Sequence, residues 1–230
     1  MDAQPVREHV QRLGEFGLGW QRIAALAGVS GFPVARLLYG VPSEGRAPSK
    51  RIKTQTAEKL LAVRPDLDVL AGTAMIHSAG TQRRIQALCV VGWSLSEQAR
   101  RAGRHPSNYA MFLTRPRVTA ANARDVRDLC AKLWNVAPPE TTRNERISAA
   151  KARAAARRNQ WLPLAAWDDD LIDLPPQWLR AELDQRAAQM SDAETQSSRT
   201  AVYKHGDHSP LTLAGAREHG RRQRRKQAAS

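Results

Sequence analysis

Apolar positions recur at helical spacing along most of the chain. Val6, Val10, Leu13 and Phe16 share one face of a predicted helix over 4–16, and Gly17 stops it. A second helix is predicted over Trp20–Ala27 and a third from Ser30 to Tyr39. The next stretch, Gly40–Arg51 (GVPSEGRAPSKR), is rich in glycine, proline and serine and reads as a loop. A fourth helix, starting at Lys53 or Thr54 and reaching Val63, carries Ala57, Leu60, Leu61 and Val63; Pro65 ends it. Leu67–His77 is a connector.

The pattern then returns. Helices are predicted over Thr81–Val91, with Ile85 and Leu88 inward, over Leu95–Ala102, over Ser107–Leu113, and over Thr119–Trp134. Gly92-Trp93 echoes Gly19-Trp20, Ala57 aligns with Ala123, and Leu60 aligns with Val126. An internal duplication near 70 residues accounts for this. In this alignment the first helix pair is two residues tighter between tryptophan and glycine. The loop after the third helix is nine residues longer in the first copy. Beyond Pro138-Pro139 come an alanine-rich basic helix over Asn144–Asn159, an aromatic and acidic segment, and a helix over Gln177–Met190. From Ser191 the chain is polar, and it is expected to be mostly disordered.

Composition sharpens the fold class. Aromatic residues make up only 5%, and period-two runs of valine, isoleucine and threonine are absent, which fits several small helical cores and an all-α fold. The expected division is 1–66 for the first helical unit, 67–138 for the second, 139–190 for an extension, and 191–230 for a basic tail. Lys and Arg number 36 against 22 Asp and Glu, a formal +14 with a pI near 10.9, so a polyanionic partner is expected. Cys89 and Cys130 sit among apolar residues and read as buried thiols. Met1–Glu8 is polar and charged, unlike a secretory signal, and no apolar run approaches the ~18 residues of a membrane span. A cytoplasmic protein without a membrane partner is therefore expected.

The sharpest motif lies in residues 22–39 (RIAALAGVSGFPVARLLY). Ala24 is small where two helices would cross, and Gly28 supplies a left-handed turn. Val29 would plug that turn into the core, Ser30 would cap the next helix, and Val34 and Leu37 would anchor its inner side. These features together predict a helix-turn-helix, whose second helix meets base edges in the major groove. Ser30, Gly31, Phe32, Pro33, Ala35 and Arg36 fall on its outward side. Arg36 suits a guanine or a phosphate. Phe32 either meets a thymine methyl or closes the core against the loop. Gln21 and Arg22 suit phosphates. The loop adds Arg46, Lys50, Arg51 and Lys53 as a flexible basic segment, either along the DNA backbone or simply solvated.

The second copy places Ala99, Gly103, Tyr109 and Phe112 at the same four positions, but Gln98 replaces Ile23 and Arg104 replaces Val29. Ser107 or Asn108 would cap its outer helix, and Ser107, Asn108, Ala110 and Met111 would face outward. Arg100, Arg101, Arg104, Arg115 and Arg117 would serve phosphates. This copy either reads bases or only packs and dimerises.

The segment Arg158–Pro175 (RNQWLPLAAWDDDLIDLP) resembles a Trp-Asp-Asp pattern that follows tandem helix-turn-helix units in DNA-binding proteins of actinobacteria and their phages. SKRIKTQTAEKLLAV, at 49–63, is similar as well. The likeness spans about residues 5–175, with Leu164-Ala165 where a second proline is usual. It implies DNA binding and transcriptional regulation, and it implies that a third unit is missing, with only its first helix left in Leu211–Arg225. The bare acids Asp168, Asp169, Asp170 and Asp173 lack a His, Cys or Glu cluster and read as a docking segment facing water or the basic helix at 144–158. His205 and His208 read as solvated. No metal, cofactor or catalytic residue is expected. The terminal cluster Arg217, Arg221, Arg222, Arg224, Arg225 and Lys226 reads as a grip on phosphates. Double-stranded DNA is the expected partner; a homodimer and a contact with RNA polymerase or RNA stay open, as does an accessory role in recombination.

Overall fold

A computed structural model describes residues 1–228 and is mostly helical, with 65% of residues in helix, twelve α-helices and one two-stranded sheet among the described residues. The helices are α1 (Gln4–Phe16), α2 (Trp20–Leu26), α3 (Gly31–Tyr39), α4 (Thr54–Leu61), α5 (Ala79–Val91), α6 (Leu95–Arg101), α7 (Pro106–Ala110), α8 (Ala120–Leu133), α9 (Arg143–Arg158), α10 (Pro176–Gln189), α11 (Asp192–His205) and α12 (Pro210–Ala228). Strands β1 (Met75–His77) and β2 (Arg117–Thr119) pair antiparallel, with Ile76 opposite Val118.

Two compact units divide the chain: Met1–His77 with Arg117–Arg124, and Ser78–Pro116 with Asp125 onward. The division falls elsewhere than at 66 and 138 because the connector is not passive. Leu67, Leu70 and Ile76 are buried, Leu70 and Ile76 lie against Gly17 at the end of α1, and β1 pairs with β2.

In the first unit α1 packs on α2, α3 and α4, burying Val6, Val10, Leu13, Ile23, Ala24, Val34, Leu37, Ala57 and Leu60. The predicted periodicity is thus the periodicity of burial.

The duplication is more regular than the tryptophans suggest. Gly17 corresponds to Gly92, both left-handed caps, and the fully buried Leu18 corresponds to the fully buried Trp93. A single offset of 75 residues then relates α1 to α5, α2 to α6, and Ala24 and Gly28 to Ala99 and Gly103, with no gap. After the third helix the offset becomes 66, as from Ala57 to Ala123. Hydrogen bonds repeat under the same rule. Ser49 N donates to Arg36 O, and Arg115 N to Met111 O. Ala3 N donates to Lys50 O, and Ser78 N to Pro116 O. The bridge between Asp2 and Arg51 matches the rung between His77 and Arg117. The small strand pair is therefore part of the repeated motif.

Gln98 explains how the second copy keeps this geometry with a polar residue in its core. Its side chain is fully buried, donates to Trp93 O at 2.8 Å, and accepts from the Tyr109 hydroxyl at 3.1 Å. Tyr109 stands where the first copy has Val34, so the two polar exchanges satisfy each other. Burial also pushes the thiols of Cys89 and Cys130 up to about 11, which keeps both protonated and unreactive at neutral pH.

The rest of the second unit docks on α5. The small faces of α9, Ala152 and Ala156, pack with Cys89, and Val90, Leu95 and Trp161 close around them. The acidic segment is held by α5 and α10 rather than by the basic helix α9. Arg84 grips Asp173 with both amino groups, at 2.5 and 2.9 Å. Arg83 lies 4.7 Å over Trp167 and donates to the carbonyls of Ile172 and Leu174; burial lowers its pKa to about 10. Asp170 pairs with Arg186 of α10.

Residues 192–205 and 210–228 are helices, not a disordered tail. Leu171, Leu183, Ala187 and Ala214 form a core, joined by Leu174, Leu179, Met190 and Leu211. Ser191 and Glu194 build a reciprocal cap on α11. Alanine and glycine supply the contact in place of large apolar residues: Gly215 lies directly against Ser198 and Met190.

Two outcomes are expected. Gln98→Leu strands the Tyr109 hydroxyl and costs about 1–3 kcal/mol in urea unfolding, and adding Tyr109→Phe recovers much of it. A double variant no better than the single would contradict the pairing. Asp173→Ala leaves Arg84 buried without its partner and costs about 3 kcal/mol, the low end for a buried pair, because Asp173 keeps 29% exposure.

Candidate nucleic-acid interface

The first helix pair is short, seven and nine residues, and is held by its inner face. Between the helices Gly28 takes φ 60, and Val29 N donates to Ala24 O at 3.0 Å. Val29 itself is only half-buried, so the turn is fixed more by this hydrogen bond than by a buried plug. The same turn occurs at Gly103, φ 64, with Arg104 N donating to Ala99 O at 2.9 Å.

With Val34 and Leu37 buried, the other side of α3 faces outward. Ser30, Phe32 and Arg36 are exposed, Phe32 by 65%, which removes the reading of Phe32 as core. Tyr39, 58% exposed, extends this face and was not singled out from the sequence. Ser30 occupies the cap position with extended backbone, yet its side chain makes no capping hydrogen bond, contrary to expectation. Pro33 is half-buried. Gly31 is half-buried, and a β-carbon there would come within 2.9 Å of the Trp20 ring, so the position has a packing role between α2 and α3. Gln21 and Arg22 are exposed on the first turn of α2.

The basic loop is pinned, not flexible. Val41 bridges Arg46 around a 3-10 turn over Pro42–Glu44, and Gly40, φ 73, lies so close to the Arg46 carbonyl that any side chain would overlap it. Arg7 fastens the far end, donating from Nε to Leu37 O at 2.8 Å and from Nη2 to Ser49 O at 2.6 Å. Gln82 makes the corresponding bond to Arg115 O in the second copy. Arg7 thereby sets Lys50 and Arg51 beside the last turn of α3, a positioning role that its outward place on α1 did not reveal. Arg46 pairs with Glu44 at 3.0 Å. Arg22, Arg36, Lys50, Arg51 and Lys53 are exposed and have no carboxylate partner among the described residues.

The second helix pair repeats the turn but not the length of the outer helix: α7 has five residues and runs on into a 3-10 turn over Met111–Leu113, where α3 has nine; its surface differs as well. Three of its arginines have carboxylate partners. Arg100 and Arg101 both pair with Glu97, whose carboxyl is held below its ordinary pKa chiefly by the Arg100 hydrogen bond. Arg101 also stacks 4.5 Å over Trp93. Arg104 pairs with Asp125 and lies over Phe112. Arg115 reaches the Met111 sulfur, and Arg117 the Met75 carbonyl. The helix starts earlier than expected: Pro106 opens α7, and His105, not Ser107 or Asn108, accepts the capping bond, from Ser107 N. Ser107, Asn108 and Met111 are exposed. Under the 75-residue offset Met111 stands at the position of Arg36.

The terminal cluster is likewise partly neutralised. Arg221 pairs with Glu218 and Asp184, and Arg222 with Glu218 and Asp192. Lys226 pairs with Asp192 at 3.0 Å. As α12 carries the buried Ala214, Glu218 and His219, removing 217–230 would cut into a packed helix rather than trim a tail.

Among the described residues no three His, Cys, Asp or Glu gather as metal ligands would, and no helix is long and apolar enough to cross a membrane. Comparison with protein-family models, with curated proteins and with solved structures finds no match to this chain.

Stability separates contact residues from packing residues here. Phe32→Ala and Arg36→Ala are expected to shift unfolding free energy by no more than about 0.5 kcal/mol. Gly31→Leu, which drives a side chain into Trp20, is expected to cost about 1–3 kcal/mol. A neutral Gly31→Leu in thermal melts would contradict the assignment.

Proposed function

We propose that this chain is a sequence-specific double-stranded DNA-binding protein, a regulator of transcription that acts from the cytoplasm without covalent chemistry. Its two helix pairs are tandem helix-turn-helix units, and the first does most of the reading. The observation that carries this is the outer face of α3: Ser30, Phe32 and Arg36 exposed on a helix anchored from behind, flanked by Arg22, Lys50, Arg51 and Lys53 without internal partners. In such an arrangement the helix enters a major groove, Arg36 donates to a guanine edge, and the loop cations meet phosphates.

The second unit contributes differently. Arg100 and Arg101 share Glu97 and Arg104 pairs with Asp125, so these three attract phosphates less than unpaired cations would, while Arg115 and Arg117 keep their charge. It offers Ser107 and Asn108 to base edges, and an asymmetric site results, with unpaired cations flanking the reader at one end and partly paired ones at the other. The 75-residue offset through the first helices and the turn supports two units of common origin.

Selection from a random duplex pool, followed by titration of the recovered sequence, is the test. An enriched sequence is expected, and Arg36→Ala should weaken it by about 1–3 kcal/mol while random duplex loses little. Equal loss on both would remove Arg36 from base reading, and a pool without enrichment would remove sequence-specific binding altogether.

A further inference from the structure

Gln160 breaks a rule that the rest of the backbone keeps. It sits at φ 54, whereas the other positive-φ positions among the described residues, seven of them, are all glycine. The position closes α9 as a left-handed cap: Gln160 N donates to Arg157 O at 3.1 Å, and Trp161 N to Ala156 O at 2.9 Å. Glycine adopts this conformation without steric cost; glutamine does not. A side chain retained where its backbone favours none points to a use for its amide.

The surroundings supply that use. Gln160 lines a cavity of about 590 Å³, bounded by α5, α9, the segment 160–162 and the start of α12, all within the second unit. The volume lies in the range of small-molecule sites. Its apolar wall is formed by Val90, Trp161, Leu162 and Leu213, and its polar wall by Arg153, Arg157, His208 and Gln160 itself. No carboxylate lines it. Arg153 is already committed to Val91 O and to Glu140, at 3.1 and 2.5 Å. Asp207, next to His208, accepts from Ser209 N and from the Thr212 hydroxyl. Arg157 has neither an ion pair nor a side-chain hydrogen bond among the described residues. An exposed guanidinium without a counter-ion thus lines the same cavity as an indole that the protein leaves half-exposed.

We propose that this cavity binds a small amphipathic anion, a carboxylate or phosphate ester with an aryl or comparably sized apolar body. The apolar body lies against Trp161 and Leu213. The anionic end pairs with Arg157, whose planar fork matches carboxylate and phosphate oxygens, and the Gln160 amide completes the polar end. This site shares no residue with α3 or its basic loop, so it stands or falls apart from DNA binding.

Calorimetric titration of the full chain with 3-phenylpropionate, indole-3-acetate and phenyl phosphate tests it, against inorganic phosphate and 3-phenylpropanamide. At least one aryl anion is expected to bind one-to-one, with the neutral amide and inorganic phosphate weaker by about tenfold or more, the loss expected of a missing charge-assisted contact. Arg157→Gln should weaken the aryl anion by about tenfold while leaving the melting temperature in place. Gln160→Gly should raise the melting temperature and still weaken binding, a split that a purely structural role would not produce. The proposal is overturned if no aryl anion binds at millimolar concentration, if acid and amide bind alike, or if both variants keep full affinity.

Discussion

A helix of seven or nine residues does not hold its shape alone in water. Everything proposed here depends on the inner burial that holds α2 and α3: Ile23, Ala24, Val34 and Leu37 close against α1, and the turn at Gly28 lets the second helix reverse over the first. That one-sided anchoring spends the apolar residues on the inside. It leaves Ser30, Phe32 and Arg36 with nothing to do for the fold. An exposed aromatic and an exposed arginine without an ion pair on one helix face are residues a partner would use.

The second copy shows what happens when the turn and the inner packing are kept and the chemistry is changed. Ile23 and Val34 become Gln98 and Tyr109, which bond to one another in the core, so the helix pair survives the exchange. Outside, Arg36 becomes Met111, and Arg100, Arg101 and Arg104 have carboxylate partners. Salt bridges of this exposed kind add little stability. Their larger effect is on the field: a cation paired within the protein attracts a polyanion less than a free one does. The same holds along α12, where Glu218 and Asp192 occupy Arg221, Arg222 and Lys226. The formal charge of +14 therefore overstates how much of the surface is available to nucleic acid.

Much of this architecture is legible in the sequence, and the parts that are not share a cause. Helices with a strong apolar stripe, α1 through α6, are placed to within a residue or two because burial and period coincide. The repeat is visible, but its frame is not, since Trp20 and Trp93 draw the eye together although one is a half-buried surface contact and the other fills a core position taken by Leu18 in the first copy. The last two helices are hidden because their contacts run through alanine, glycine and serine, which composition counts as non-core. The acidic segment announces that it docks, but its partners Arg83 and Arg84 lie far away in sequence. At the candidate interface, exposure of Arg36 and Phe32 follows from the pattern; the stapling of the loop by Arg7 and the contact of Gly31 with Trp20 require coordinates.

The central claim is that the outer face of α3 and the loop pinned beside it form the surface that meets DNA. The most direct measurement is an amide-shift titration of the labelled full chain with a duplex recovered by selection. The account predicts that shifts concentrate at residues 20–22, 30–39 and 46–53, with a smaller set at 105–111. Shifts confined to residues beyond 140, with 30–39 unmoved at saturation, would contradict it.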